Sequence, residues 1–424
     1  MEQSSRVHEL DQARQQEIAM NANTVNAGRP ALGYAAFDAD NHYYETSDAL
    51  TRHLPKAFAR RGARWMELNG RKRLLLGDQL FNYIPNPTFD PIGKPGCLHD
   101  YFRAASPEGN DMRKQMGDLE PLASRPEYRD RDARLKVMDR QGLGAAWIFP
   151  TLAVTLEVPF QPDIQAALAT FRAFNRWLNE DWGFAYKDRI FAAPFISLSD
   201  PDWAVEELEW CIAQGVRVVT MRNGPVYTAT GHCSPGDPRL DPFWARMEEA
   251  GIVMAPHVGD DGYDFLAKIW EPDNSAKMLG MSPLKKAVNS QRAVPDFFAA
   301  IVCHRLFERF PRLRFASIEN GGDWVAALLG RLRRGHAQNP GYYKSDPVEQ
   351  FREHVWVTPF WEDNVTELAK HIPVERLLFG SDWPHLEGVV DPLDFLDSLR
   401  DFNDVERKRI MHDNIAELMG RRVS

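Results

Sequence analysis

Disulfides, a membrane span and a basic face are all missing from this sequence. Its 424 residues include only four cysteines, Cys97, Cys211, Cys233 and Cys303, scattered with no CxxC pair. That excludes a disulfide framework and a thiolate zinc site. No apolar run reaches the roughly 18 residues that a membrane helix needs. Lys and Arg total 51 against 60 Asp and Glu, a formal charge of −9, which argues against a dedicated nucleic-acid binder. The first twenty residues are charged where a secretory signal would be apolar, so the expectation is a cytoplasmic protein. No GxGxxG follows the first apolar segment, which removes the usual dinucleotide fingerprint.

What is present is an ordinary globular composition, 44% hydrophobic and 26% charged, patterned as a repeat. A short apolar run leads to a loop carrying His, Asp, Glu, Asn or Gly, and an amphipathic stretch follows. Strands are predicted at Tyr34–Asp40, Gly144–Pro150, Ile190–Ser197, Val216–Met221, Ile252–Pro256, Leu313–Ile318, His354–Pro359 and Leu377–Gly380, each bounded by turn residues. Helices are predicted from the Asp200-Pro201 cap to Gln214, over Asp237–Ala250 and over Pro295–Phe310. Eight strands alternating with helices specify an α/β fold, a (β/α)8 TIM barrel over residues 31–424 behind a polar leader at 1–30. Residues 46–127 form a long insertion after strand 1, with a hairpin at Trp65–Leu76 turning on Asn69-Gly70. Residues 259–294 form a long loop after strand 5. Both follow strand ends, so both are expected over the barrel mouth.

The candidate chemistry sits at four strand ends. Asp40 and His42 are two apart at the end of strand 1, so both point into the mouth. His257 ends strand 5, Glu319 strand 6, and Asp382 follows strand 8. Burying carboxylates costs several kcal/mol unless a cation or hydrogen bonds compensate them, and a metal accounts for four such ends converging on one axis. Further donors lie nearby: Glu45, Glu362, Asp363 and His385. Asp38 reads as a cap below the site, and His304 as a packing residue within a helix. His53, His99 and His232 fall in loops, and the aromatics Tyr43-Tyr44 and Trp177–Trp182 read as core or lid packing.

The Asp38-Ala39-Asp40-Asn41-His42 start, strand-end His257, Glu319-Asn320-Gly321-Gly322-Asp323-Trp324 and Gly380-Ser381-Asp382-Trp383-Pro384-His385 resemble the amidohydrolase-related, metal-dependent TIM-barrel superfamily. The resemblance implies that Asp40, His42, His257 and Asp382 are metal ligands with Glu319 a ligand or bridge, and that the protein is a dimer or larger. Members usually begin Asp-x-His-x-His, whereas Asp40 stands in the first His position and Glu319 replaces a sixth-strand His. Strand 4 ends Met221-Arg222-Asn223, without the lysine that bridges two zinc ions in binuclear hydrolases. This oxygen-rich set suits Fe or Mn better than Zn.

The sequence further resembles a branch that uses two non-haem irons to activate dioxygen. That implies a monooxygenase hydroxylating an apolar, CoA-linked small molecule with O2 and an external reductant. Asp40, His42 and Asp382 would hold one iron, and His257 and Glu319 the other. His385 and Glu362 would be second-metal ligands or partners orienting imidazoles, with Asp382, His257 and Glu319 catalytic. Arg52, Arg71, Lys72 and Arg73 would attract the CoA phosphates. The alternatives are a mononuclear amidohydrolase-type hydrolase or non-oxidative decarboxylase, in which His257 or Asp382 takes protons, and a barrel that binds a ligand without turnover.

Overall fold

The protein, seen in a computed structural model, is described over residues 32–102, 112–272, 282–289 and 292–421; the expected leader lies outside them. The barrel strands are β1 (Ala36–Tyr43), β2 (Leu143–Pro150), β3 (Ile190–Ala192), β4 (Val218–Arg222), β5 (Val253–His257), β6 (Arg314–Ser317) and β7 (Val355–Val357). Neighbours pair in parallel from β1 to β3 and from β4 to β7. A Phe195–Thr220 bridge joins the two sheets. The eighth position is extended chain rather than a strand. It closes the cylinder through bridges Val357–Leu377 and Asn41–Trp383 and the hydrogen bond from Ala39 N to Phe379 O.

Alternation along the strands fills both faces, as a barrel requires. Phe37, Ala39, Ala145, Trp147, Phe149, Phe191, Val253, Ala255, Ala316 and Ile318 form the interior cluster, joined by Ile415 and Leu418. The opposite faces pack against the helix shell. The register of β1 against β2 slips between Asp38 and Asn41. Such bulges re-aim side chains beside active sites. Here Phe37 and Ala39 face inward before the slip, and Asp40 and His42 after it.

Two predicted helices break. After a short 3-10 turn at Pro238–Leu240, the helix α1 (Asp241–Ala250) ends on Gly251 at φ 64. The helix α2 (Ala293–Cys303) stops at His304 because Arg305 adopts φ 56, and Leu306–Arg309 begins anew. His304 is therefore a helix terminus rather than mid-helix, with Nδ1 2.7 Å from Ser234 Oγ.

The insertion lies over the mouth. Its hairpin pairs Ala63–Leu68 with Arg71–Leu76 around Asn69 and Gly70, both at positive φ. Farther on, Gly96 N donates to His385 O and Leu98 N to Leu386 O. Tyr83 Oη donates to Gly259 O at 3.0 Å, so the insertion is tied to the loop after β5.

Candidate metal centre

Asp40, His42, His257, Glu319 and Asp382 converge on one buried point. His42 Nε2 lies 3.3 Å from Asp40 Oδ1, 3.3 Å from Glu319 Oε2 and 3.5 Å from Asp382 Oδ1. His257 Nε2 lies 3.6 Å from Asp40 Oδ1 and 3.3 Å from Glu319 Oε2. Two groups have the compactness of a metal site: Asp40, His42, His257 and Glu319, and His42, Glu319, Asp382 and His385. The centre opens into a cavity of about 370 Å³ roofed by Tyr83 of the insertion and Lys285 of the long loop.

Local sequence explains each placement. Gly380 lets the last turn approach β1, since a Cβ there would stand 2.7 Å from Asp40 Cβ. Glu319 and Asp382 both take left-handed backbone, φ 53 and 54, a cost of about 1 kcal/mol or more that persists where the surroundings dictate it. Asp38 organises the join: Oδ2 accepts from Ser381 Oγ at 2.5 Å and Asn41 Nδ2 at 3.0 Å, and Oδ1 from the amides of Asp40 and Ser381. Burial pushes the Asp38 carboxyl up to about 7.

The hydrogen-bond inventory shows that the residues fit a cation. His257 Nδ1 sits 2.8 Å from Val258 O, and a carbonyl only accepts, so Nδ1 carries a proton and Nε2 is the nitrogen turned to the site. Nε2 faces two carboxylate oxygens. Among the described residues, His257 Nε2, both nitrogens of His42 and Asp40 Oδ1 are buried without a hydrogen-bond partner. Burial would lower the His42 imidazole, but Asp40 and Glu319 outweigh it and raise it to about 9. Burial opposes ionisation of Asp40 too, yet His257 and His42 hold it down at about 2. The acids demand positive charge here, and a bound metal meets the same demand.

The other candidates are placed differently. His385 has both nitrogens engaged, Nδ1 at 2.6 Å from Asp382 Oδ1 and Nε2 at 2.9 Å from Thr151 Oγ1. Glu362 corrects the expectation of a ligand: it is exposed at the cavity rim and outside both groups. Its neighbour Asp363 turns inward, accepting from Gly322 N and Phe360 N. Glu45 accepts from the amides of Leu152 and Ala153. Arg52 is paired with Asp48, Glu180 and Asp181, away from any ligand role. His53 pairs with Glu180, His99 stacks on Trp361, and His232 meets the Tyr227 ring. Tyr43 packs against Trp177 and Trp182.

Sequence reasoning missed Thr151, Glu387 and Arg134. Thr151 immediately follows β2, the position that flagged His257, and could have been found by that rule. Glu387 lines the cavity, its carboxyl raised to about 7 by burial and by Glu319. Arg134 is fully buried, bonding Asn41 Oδ1 and, at 2.7 Å, His42 O; nothing local in its helix announces that reach.

Residues 34–421 match the family described as Amidohydrolase. The chain belongs to that family. Over 91% of its length it superposes on an amidohydrolase from Mycobacterium avium subsp. paratuberculosis K-10, with 44% identity, a TM-score of 0.88 and 99% of that chain covered. It is 26% identical over 309 residues to gamma-resorcylate decarboxylase of Rhodococcus jostii, covering 68% of this chain and 86% of that protein. The fold is shared with a dihydroxybenzoic acid decarboxylase from Polaromonas sp. JS666 holding manganese and 2-nitroresorcinol, at 18% identity, TM-score 0.57, and 78% and 95% coverage.

The chain is a metal-dependent TIM-barrel protein. The relatives correct the oxidative reading: they are an amidohydrolase and decarboxylases, none an oxidoreductase, and they lend no support to a diiron monooxygenase with a CoA thioester, O2 and a reductant. The physical reason is that carboxylate-rich donor sets serve manganese as readily as iron, so ligand type carried no redox information. No described helix is long and apolar enough to cross a membrane.

Proposed function

We propose that this amidohydrolase is a non-oxidative decarboxylase of a small aromatic or conjugated carboxylic acid, using one divalent metal ion of the manganese type. The observation that carries the reading is His257 Nε2 facing Asp40 and Glu319 in a buried cavity, in a chain whose curated relatives are decarboxylases. Donor separations of 3.3–3.6 Å bring these side chains close enough for one cation to contact all four. An imidazole nitrogen has one lone pair, so His42 Nε2 cannot serve two ions, and the two groups sharing it describe one site. Asp40, His42, His257 and Glu319 would hold the ion. When bound, it supplies a positive charge that binds and orients the substrate acid.

Asp382 supplies the proton. Thr151 Oγ1 donates to Tyr43 O at 2.7 Å, so it accepts from His385 Nε2–H, leaving His385 Nδ1 bare towards Asp382. Burial, with His42 and His257 nearby, keeps His385 well below its usual range and neutral. The bridging hydrogen therefore belongs to Asp382, whose carboxyl is raised well above normal by burial and by Glu319, Glu387 and Asp40. As the carbon–carbon bond breaks, its electron pair stays on the substrate carbon, CO2 leaves, and Asp382 delivers its proton to that carbon. The carboxylate left on Asp382 takes up one proton from solvent before the next turnover, and His385 Nδ1 accepts its hydrogen bond again.

The test is manganese-loaded protein with 2,6-dihydroxybenzoate, 5-carboxyvanillate and 2-amino-3-carboxymuconate-6-semialdehyde under strict anaerobiosis. One CO2 per acid consumed is expected. Turnover of none of them, or turnover only with dioxygen, would sink the proposal. Amide hydrolysis without CO2 would point to the hydrolytic alternative.

A further inference from the structure

The basic hairpin does not simply project into solvent. It forms one wall of a second concavity of about 680 Å³, which shares no lining residue with the metal cavity. That volume is within the range of small-molecule sites, roughly 300–1,000 Å³. Arg71, Lys72 and Arg73 come from the hairpin, and Trp65 from its other strand. The segment from Pro85 to Pro91 is the facing wall, with Arg129 also contributing. Arg73 Nη1 donates to Pro85 O at 3.0 Å and so spans the two walls. Arg129 donates to the carbonyls of Tyr44, Glu45 and Thr88, none of them an acid.

The charge balance is unusual for a chain carrying −9 overall. Four cations and two acids, Glu45 and Asp90, line the cleft; Lys72 stands across the hairpin ladder from Glu67, on the other face from Arg71 and Arg73. Glu45 is buried, and burial raises its carboxyl to about 7, so it opposes an anion weakly. Asp90 spends Oδ1 on the Leu122 amide. Among the described residues, Arg71 and Lys72 have no ion-pair partner and Arg129 has no carboxylate bonded to it. Clustered cations of this kind repel one another unless an anion joins them, and guanidinium groups bind phosphate oxygens through paired N–H donors.

We propose that the cleft between the hairpin and the 85–91 segment is a binding site for a small phosphate ester, with Trp65 offering an aromatic face to its organic part. The site stands independently of the decarboxylase reading, since it uses none of the same residues.

The experiment is calorimetric titration of the full, manganese-loaded chain with AMP and with inorganic phosphate as probes, alongside flotation with phosphatidylglycerol vesicles. Saturable AMP binding is expected, weakened at least about ten-fold, or 1.4 kcal/mol, in Arg71→Glu/Lys72→Glu and less in Arg71→Gln/Lys72→Gln. Asp40→Ala should bind AMP as the unaltered chain does. Absence of AMP and phosphate binding at millimolar concentration would overturn the proposal. So would equal affinity in the charge-reversed variant, or loss of binding in Asp40→Ala alone, which would place the phosphate on the metal. Adsorption to vesicles without AMP binding would also overturn it, in favour of a surface effect.

Discussion

The metal cavity and the hairpin cleft are opposite solutions within one insertion-capped barrel. In the cavity, carboxylates on rigid strand ends surround imidazole nitrogens, an arrangement that suits a cation. In the cleft, cationic side chains of an added hairpin and Arg129 line the walls, with Arg73 bonding Pro85 O, an arrangement that suits an anion. The first charge set is buried, so leaving it unbalanced is costly; the second is largely exposed and can be screened by salt. Charge that the solvent cannot reach constrains function far more tightly than charge it can.

The largest effect should come from Asp40→Ala. Metal content, read by elemental analysis, should fall from about one ion per chain to near zero, with activity down more than about a thousand-fold. The comparison breaks if the variant keeps its metal. Asp382→Asn should separate metal holding from proton delivery: kcat falls about 10²- to 10⁴-fold while metal content holds. Loss of the ion in that variant would instead make Asp382 a ligand. Thr151→Val removes the hydroxyl that fixes the His385 tautomer, and about a 10- to 100-fold loss is expected for such a supporting residue. Thr151→Ser should restore most of it; failure of that rescue would remove the hydroxyl's role.

The smallest effect belongs to Glu45, which stands between the two regions. Its carboxyl is raised from 4.5 to about 7 in the folded chain. A raised acid adds stability that is full below pH 4.5, declines as pH rises through about 7, and is gone above it. Glu45→Gln keeps the oxygen that accepts from Leu152 and Ala153 but cannot ionise. Thermal melts should show the variant losing up to about 3 kcal/mol less than the parent across that window. Parallel melting curves for the two would rule this out.

Strand ends were readable because buried parallel strands leave apolar runs bounded by polar residues, and His257, Glu319 and Asp382 stand out against them. Glu362 misled because a turn residue and a strand-end residue look alike in sequence. Only the inward turn of Asp363, bonded to Gly322 and Phe360, shows which way the chain faces. The predicted helix over 295–310 failed at Arg305, whose left-handed backbone has no local signature comparable to a glycine. The oxygenase expectation failed for a different reason, that donor types identify a metal site without naming its reaction.

By itself the order of residues determined the barrel, its two long excursions and the residue types gathered at its rim. These follow from period-two burial, turn chemistry and the cost of burying acids, all local in the chain. Only the tertiary structure decided which of those residues meet. Strict alternation from Phe37 would have turned Asn41 inward, and the slip in β1 against β2 presents Asp40 and His42 instead. A register shift is a property of two strands over a hundred positions apart, and the hydrogen bond that Thr151 shares with His385 likewise joins residues 234 positions apart. Distances between remote segments depend on packing, and packing is written in no single stretch of sequence.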